Sequence, residues 1–299
     1  MWHLTSRIHK LNHFPYGDVN CYVKRDDELS CGISGSKLRK YSSLMPALKT
    51  MGVEHLIIIA GPQSNNLLSA LQMAREFQLK ITVFLIKPHH LEIKGNFKLS
   101  RLFLEEQDII WVERKDWETV GVLANTYLNQ LGVHGFVLQE GASVPEAMEG
   151  AMTIASDIVH NEQSAGITFQ HIFVDAGTGF SAAALVKGLS ESGHHALIHI
   201  LLLADDEEQF KLKLKQWIGH IPETVDCFYP DTGKSFGSVN KTIRHEVRRM
   251  ALEEGILADP IYSAKLFYSA RNYIEKEQLK GNVLIIHSGG TLTMAGFDW

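Results

Sequence analysis

A lysine at the head of a helical run is the first group in this chain able to do chemistry. In "SGSKLRKYSSL" (34–44), Gly35 and Ser36 precede the run and place Lys37 in its first turn. The positive field of a helix start disfavours a cation there. Arg39 and Lys40 nearby, together with burial, would lower the pKa of Lys37 further. A partly neutral amine is what condensation with a carbonyl requires. The competing explanation is a basic helix start facing water.

Four more segments join a strand or turn to a helix start. In "HIFVDAGTGFSAAALVKG" (171–188), Gly177 and Gly179 allow close backbone approach, and the N–H groups of a helix beginning near Phe180 favour an anion. Gly177, Gly179 and Ala182 also match G-x-G-x-x-A, the dinucleotide fingerprint, with Asp205 and Asp206 somewhat too far along for its ribose carboxylate. A tight turn packed with small residues is the plainer alternative. In "LIIIAGPQSNNLLSALQMA" (56–74), Ser64, Asn65 and Asn66 occupy a helix N-cap, where they could hold a carboxylate or simply cap the helix. Ser64 lacks the G-x-S-x-G setting of a hydrolase nucleophile. In "NVLIIHSGGTLTMAG" (282–296), a buried strand delivers His287 and Ser288 to a Gly-Gly turn at its carboxyl end, where open α/β sheets place ligands, unless the two glycines are simply a C-terminal turn. In "EGILADPIYSAKLFYSA" (254–270), Pro260 suits a helix start and puts Tyr262 in the first turn, for packing or for catalysis. Fifteen histidines include no H-E-x-x-H and no Cys/His ligand cluster, so no metal site is expected. The pairs His89–His90 and His194–His195 fall in polar connections and are expected to face water.

These segments sit in a regular alternation. Strand-like runs occur at 56–60, 81–86, 109–113, 136–139, 171–175, 197–203, 225–229 and 283–287, several of them continuously apolar as in strands covered on both faces. Helical patterns lie between them, at 67–77, 181–190 and 242–254 among others. Strand–helix–strand alternation builds parallel sheets, which predicts an open α/β fold. The turn-rich stretch "DTGKSFGSVN" (231–240) reads as a surface loop that could cover a pocket.

Composition narrows the partners. The 299 residues are 45% hydrophobic and 21% charged with a formal net charge of −5, an ordinary globular mix that excludes disorder as the main state. A mildly acidic chain lacks the basic excess needed for nucleic acid, which leaves a small molecule. No apolar run approaches the roughly 20 residues of a membrane span. The first residues, "MWHLTSRIHKLNHF", hold no stretch like a signal peptide, and Cys21, Cys31 and Cys227 form no C-x-x-C pair. A protein of the cytoplasm is expected.

In order, "KRDDE" (24–28), "GSKLRKY" (35–41), "AGPQSNN" (60–66), "EGASVPEAMEGA" (140–151), "AGTGFSAA" (176–183), "EGILADPIYSAK" (254–265) and "HSGG" (287–290) make a series. From about residue 19 onward the chain resembles the pyridoxal-phosphate enzymes of the aminocyclopropanecarboxylate deaminase and D-cysteine desulfhydrase family, of the tryptophan synthase β fold type. The resemblance replaces the dinucleotide with a single cofactor phosphate. It implies a two-domain α/β protein of open, mostly parallel twisted sheets with helices on both faces. The smaller domain would span 42–156, the larger 1–41 with 157–299, with the cofactor in the cleft between them and two copies forming a homodimer.

The same resemblance implies residue roles. Lys37 would form the Schiff base with the cofactor and later shuttle protons. Gly177, Thr178, Gly179, Phe180 and Ser181 would bind the phosphate, Asn65 the phenolic oxygen, and Ser288 would face the pyridine nitrogen. Ser64, Asn65 and Asn66 would hold the substrate carboxylate, with Ser64 able to join in proton transfer, and Tyr262 would act as acid or base on the substrate side. A hydroxyl at the ring nitrogen does not enforce protonation, so the ring is a weaker electron sink and β-elimination is favoured. A small amino acid, D-cysteine or similar, would lose its α-proton and β-substituent and yield a 2-oxo acid and ammonia.

Three positions depart from the family: Ser36 for asparagine, Asn66 for histidine and Phe236 for tyrosine, and the N-terminal arm is short. The lost Phe236 hydroxyl weighs against aminocyclopropanecarboxylate deamination, which stays as an alternative. Two others are a cofactor-binding protein that has lost the chemistry and a nicotinamide-dependent dehydrogenase, the latter explaining neither Lys37 nor Ser288.

Overall fold

A computed structural model of the chain describes residues 2–15, 18–30, 32–33 and 35–299. Cys31 and Ser34, named above, lie outside the described residues. In chain order the strands are β1 (Ile8–Lys10), β2 (Val19–Arg25), β3 (His55–Ala60), β4 (Lys80–Ile86), β5 (Ile109–Val112), β6 (Gly135–Leu138), β7 (His171–Ala176), β8 (Leu197–Leu202), β9 (Val225–Phe228) and β10 (Gly281–His287). The helices are α1 (Ser36–Thr50), α2 (Asn65–Glu76), α3 (Gly95–Ser100), α4 (Val120–Leu131), α5 (Met148–Ala165), α6 (Phe180–Glu191), α7 (Glu207–Ile218), α8 (Lys241–Arg249) and α9 (Ser263–Lys276).

Two compact units result. The larger takes the chain up to Arg39 together with Ala151–Thr291; the smaller takes Lys40–Gly150 and Leu292–Asp298. The segment 292–298, placed by the sequence reading with the larger domain, thus groups with the smaller unit.

The larger unit holds a six-stranded sheet in the order β1-β2-β10-β7-β8-β9, parallel throughout except for β1. Its core joins Ile172 and Val174 of β7 and Ile198 and Ile200 of β8 to Ile154 and Ile158 of α5 and Ala183 and Val186 of α6. β1 and β2 have no counterpart among the expected strands. β1 has three residues, and β2 carries Lys24 and Arg25, which disguise it as a surface segment. Lys24 is nevertheless fully buried, its amine 2.5 Å from the Asp157 carboxylate. Asp157 also accepts from Arg39 at 2.7 Å, and Arg39 pairs with Asp26 at 2.6 Å. This network ties the first turn of α1 to β2 and α5. Removing one partner would strand a buried charge, at a cost of about 3–5 kcal/mol.

The smaller unit holds a four-stranded parallel sheet in the order β5-β4-β3-β6. Every residue of β3 is buried, as the apolar run from Leu56 to Ala60 requires. Ile57, Ile59 and Phe84 pack with Val120 and Ala124 of α4.

Two expectations are corrected. His194 does not face water: its ring lies 3.0 Å from the Glu162 carboxylate, while His89, His90 and His195 are exposed. The helix predicted from Pro260 starts at Ser263 as α9, because the side chain of Asp259 accepts from the N–H groups of Ile261, Tyr262 and Ser263, each at 2.9 Å, and holds the intervening turn. Among the described residues no helix is long and apolar enough to cross a membrane.

Candidate active site

In the larger unit the chemistry-bearing residues gather where β7 and β10 end. Lys37 lies in the first turn of α1, half-buried, with its amine 3.2 Å from the Ser36 hydroxyl. Burial is the main influence and lowers its pKa; the carboxylates of Asp175 and Asp259 pull the other way. Arg39 and Lys40, expected to press on Lys37, are turned elsewhere: Arg39 into the Asp26–Asp157 network and Lys40 to the Gly141 carbonyl at 2.7 Å. A basic helix start facing water is therefore not what the structure holds, since both are almost wholly buried.

The start of α1 is locked to Ser288. The Ser36 N–H donates to the Ser288 carbonyl at 3.1 Å. Gly35 has φ +59°, and a Cβ there would lie 1.9 Å from that carbonyl oxygen, so only glycine lets the two backbones meet. The Ser288 hydroxyl donates to Asp175 Oδ1 at 2.8 Å. Asp175 is buried at the end of β7, and burial raises its pKa to about 6.

Asp175 and Ala176, the last residues of β7, lead into the Gly177–Thr178–Gly179 turn. Gly179 is the N-cap of α6 with φ +85° and, being glycine, brings no side chain to cap the helix, unlike Ser64 at α2 and Asp206 at α7. The N–H groups of a helix start and the helix field suit an anion. Phe180, the first residue of α6, is buried against Trp217, and Ser181 follows it. Tyr262 packs on the same turn: a Cβ at Gly177 would lie 3.1 Å from its ring. Phe236, half exposed, meets the Tyr262 ring edge-on at 5.9 Å. The loop at 231–240 is tethered, because buried Lys265 donates to the Gly233 carbonyl at 2.6 Å.

The smaller unit gathers Ser64, Asn65 and Asn66 at the start of α2. Ser64 is the N-cap and accepts from the N–H groups of Asn66 and Leu67 at 3.1 and 3.3 Å. Asn65 Oδ1 accepts from Asn96 at 2.7 Å and from Thr293 at 2.9 Å. With its carbonyl engaged, Asn65 presents its NH2 as a donor. Asn66 is buried; its carbonyl accepts from Tyr41 at 3.1 Å, and its NH2 has no partner among the described residues.

Lys37, Gly177, Thr178, Gly179, Phe180, Ser181, Tyr262 and Ser288 thus fall in the larger unit, and Ser64, Asn65 and Asn66 in the smaller. Sequence reasoning missed four supporting residues. Asp175 carried a signal, a carboxylate inside an apolar strand; so did Asp259, an acid just before a proline. Asn96 and Thr293 carried none, since long-range contact alone brings them to Asn65. The dinucleotide alternative loses its carboxylates: Asp206 caps α7 by accepting from Gln209 at 2.8 Å, and Asp205 pairs with Lys213 at 2.6 Å.

Pyridoxal phosphate needs an amine of lowered pKa, a seat for a phosphate and a polar group for its ring nitrogen. Lys37, the glycine turn before α6 and the Ser288 hydroxyl meet those requirements within one unit.

Comparison with known proteins agrees. The profile of the family described as "Pyridoxal-phosphate dependent enzyme" matches residues 6–289. A protein of Pyrococcus horikoshii provisionally named 1-aminocyclopropane-1-carboxylate deaminase is 26% identical over 91% of this chain and 85% of its own. The 1-aminocyclopropane-1-carboxylate deaminase of Cyberlindnera saturnus is 25% identical over 98% of this chain and 92% of its own. A solved structure of an ACC deaminase homologue shares the fold with a TM-score of 0.83 at 23% identity, over 98% of this chain and 90% of that one. The two mostly parallel sheets are those of the tryptophan synthase β-like fold, and the chain belongs to the family of pyridoxal-phosphate dependent enzymes.

Proposed function

We propose that the chain is a deaminating lyase for a small β-substituted amino acid, D-cysteine or a close analogue, releasing a 2-oxo acid and ammonia. The observation that carries this reading is Lys37: a partly buried amine of lowered pKa whose helix start is fixed to Ser288, beside a glycine turn built for an anion. When bound, pyridoxal phosphate condenses with an amino group and draws electron density from the α-carbon.

The chain's own residues would do the rest. The N–H groups from Gly177 to Ser181 would hold the phosphate. Asn65, oriented by Asn96 and Thr293, would donate to the phenolic oxygen. Ser64 and Asn66 would bind the substrate carboxylate; the buried, unpartnered NH2 of Asn66 is a donor in need of an acceptor. Lys37 Nζ, its pKa lowered by burial, would take the α-proton, and Tyr262, placed by Asp259, would protonate the departing β-substituent.

A second reading is deamination of 1-aminocyclopropane-1-carboxylate, favoured by the names of the relatives. Opening its ring releases no β-substituent, and Phe236 brings to the Tyr262 ring an apolar edge in place of a hydroxyl. The holoenzyme should be given D- and L-cysteine, β-chloro-D-alanine and aminocyclopropanecarboxylate. Pyruvate with sulfide from D-cysteine is expected. 2-Oxobutanoate from the cyclopropane alone would establish the second reading, and no 2-oxo acid from any of them would leave a cofactor-binding protein without this chemistry.

A further inference from the structure

A serine hydroxyl has one proton and two lone pairs. In this chain the Ser288 proton is given to Asp175 Oδ1 at 2.8 Å, and the backbone around Ser288 is fixed by the Ser36 N–H on its carbonyl and by the close approach of Gly35. Ser288 Oγ can therefore offer any further partner only lone pairs. A ring nitrogen carrying its own lone pair would be repelled by such an oxygen; a ring N–H would be bound by it. We propose that Asp175 is a positioning residue that holds Ser288 as an acceptor and so keeps the cofactor's ring nitrogen protonated. This rests on the reading that Ser288 faces that nitrogen.

Asp175 is an expensive residue for its place. It is the penultimate residue of an otherwise mostly apolar strand, is buried, and has burial raising its pKa to about 6. The charged and titratable groups that bear on it are Lys37 from α1, His287 from β10 and Asp259 ahead of α9. Lys37 and His287 favour its ionised form, and so does the Ser288 hydroxyl; Asp259 opposes it. A cation on the far side of Ser288 would add to the first group, so a protonated ring and an ionised Asp175 stabilise one another. The pair gives the ring the electron-withdrawing strength that an isolated hydroxyl would not supply, which amends the sequence expectation of a weak sink and widens the chemistry open to this enzyme.

The test is the nitrogen resonance of the holoenzyme loaded with ring-15N pyridoxal phosphate at pH 7.5, for the wild type, Asp175→Leu, Asp175→Ala and Ser288→Ala, the Asp175 replacements being ones that cannot accept from Ser288. The expected result is a shielded, pyridinium-type resonance in the wild type that moves to the deshielded pyridine position in all three variants. Two Asp175 variants keep the test open should one fail to fold. A pyridine-type signal in the wild type would overturn the proposal. So would a pyridinium signal that survives both Asp175 variants while Ser288→Ala shifts it; in that case Ser288 still faces the nitrogen. Should none of the variants move the signal, the placement of Ser288 itself fails, and the proposal with it.

Discussion

Asp259 and Asp175 are both buried in the larger unit, yet they are solvated by the protein in different ways. Asp259 accepts from three backbone N–H groups and from the Ser263 hydroxyl, so its charge is spread over donors that the start of α9 must satisfy anyway. Asp175 accepts from Ser288 and retains a pKa raised to about 6. The first carboxylate is a fastener that sets the turn bearing Tyr262. The second carries a burial cost that Ser288, Lys37 and His287 offset only in part, which points to a ligand rather than to the fold as the reason for its position.

The largest effect that would sharpen this contrast is on stability. Asp259→Ala orphans several buried donors at once and should lower unfolding free energy by about 4 kcal/mol. Chemical denaturation would measure it, and turnover should fall with it because Tyr262 loses its seat. A loss under about 1 kcal/mol would show that the turn holds without its cap.

Asp175→Asn should act in the opposite direction. A carboxyl whose folded pKa is about 6 against an ordinary 3.8 binds more protons folded than unfolded between those values, so stability falls as pH rises through that window. Above pH 6 the penalty is fully present, about 3 kcal/mol at 1.36 kcal/mol per unit. The cofactor-free Asn variant should therefore be more stable than wild type at pH 8 by up to that amount and equal to it below about pH 3, where Asp175 is largely protonated in both states. A stability difference that does not change with pH would break the comparison.

Tyr262→Phe separates placement from chemistry. If Asp259 serves Tyr262, removing only the hydroxyl should reduce turnover by about 100-fold while moving stability by less than about 1 kcal/mol. The smallest effect is expected at Phe236, which is half exposed. Phe236→Tyr should change stability by no more than about 0.5 kcal/mol. It should raise turnover of aminocyclopropanecarboxylate relative to D-cysteine by restoring a hydroxyl beside Tyr262.

Much of the fold was legible because parallel, doubly covered strands announce themselves as continuous apolar runs: β3 and β8 are the clearest cases. β2 was not legible, since its Lys24 and Arg25 mimic a surface segment and are buried only through partners more than a hundred residues away or across a turn. The site follows the same division. Lys37, the glycine turn and the Ser64–Asn66 cap are local patterns and could be read directly. The support for Asn65 from Asn96 and Thr293 depends on contacts 31 and 228 residues apart, which no local pattern encodes. Asp175 was visible as an oddity, but its use became apparent only when β10 brought Ser288 to its side.

The central claim, that Lys37 is the amine that engages the cofactor, has a direct test. The holoenzyme should be reduced with borohydride, digested and mapped by mass spectrometry. A pyridoxyl group on Lys37 is the expected result; the same group on Lys24, Lys40 or Lys265, the other buried lysines, or on no lysine at all, would contradict it.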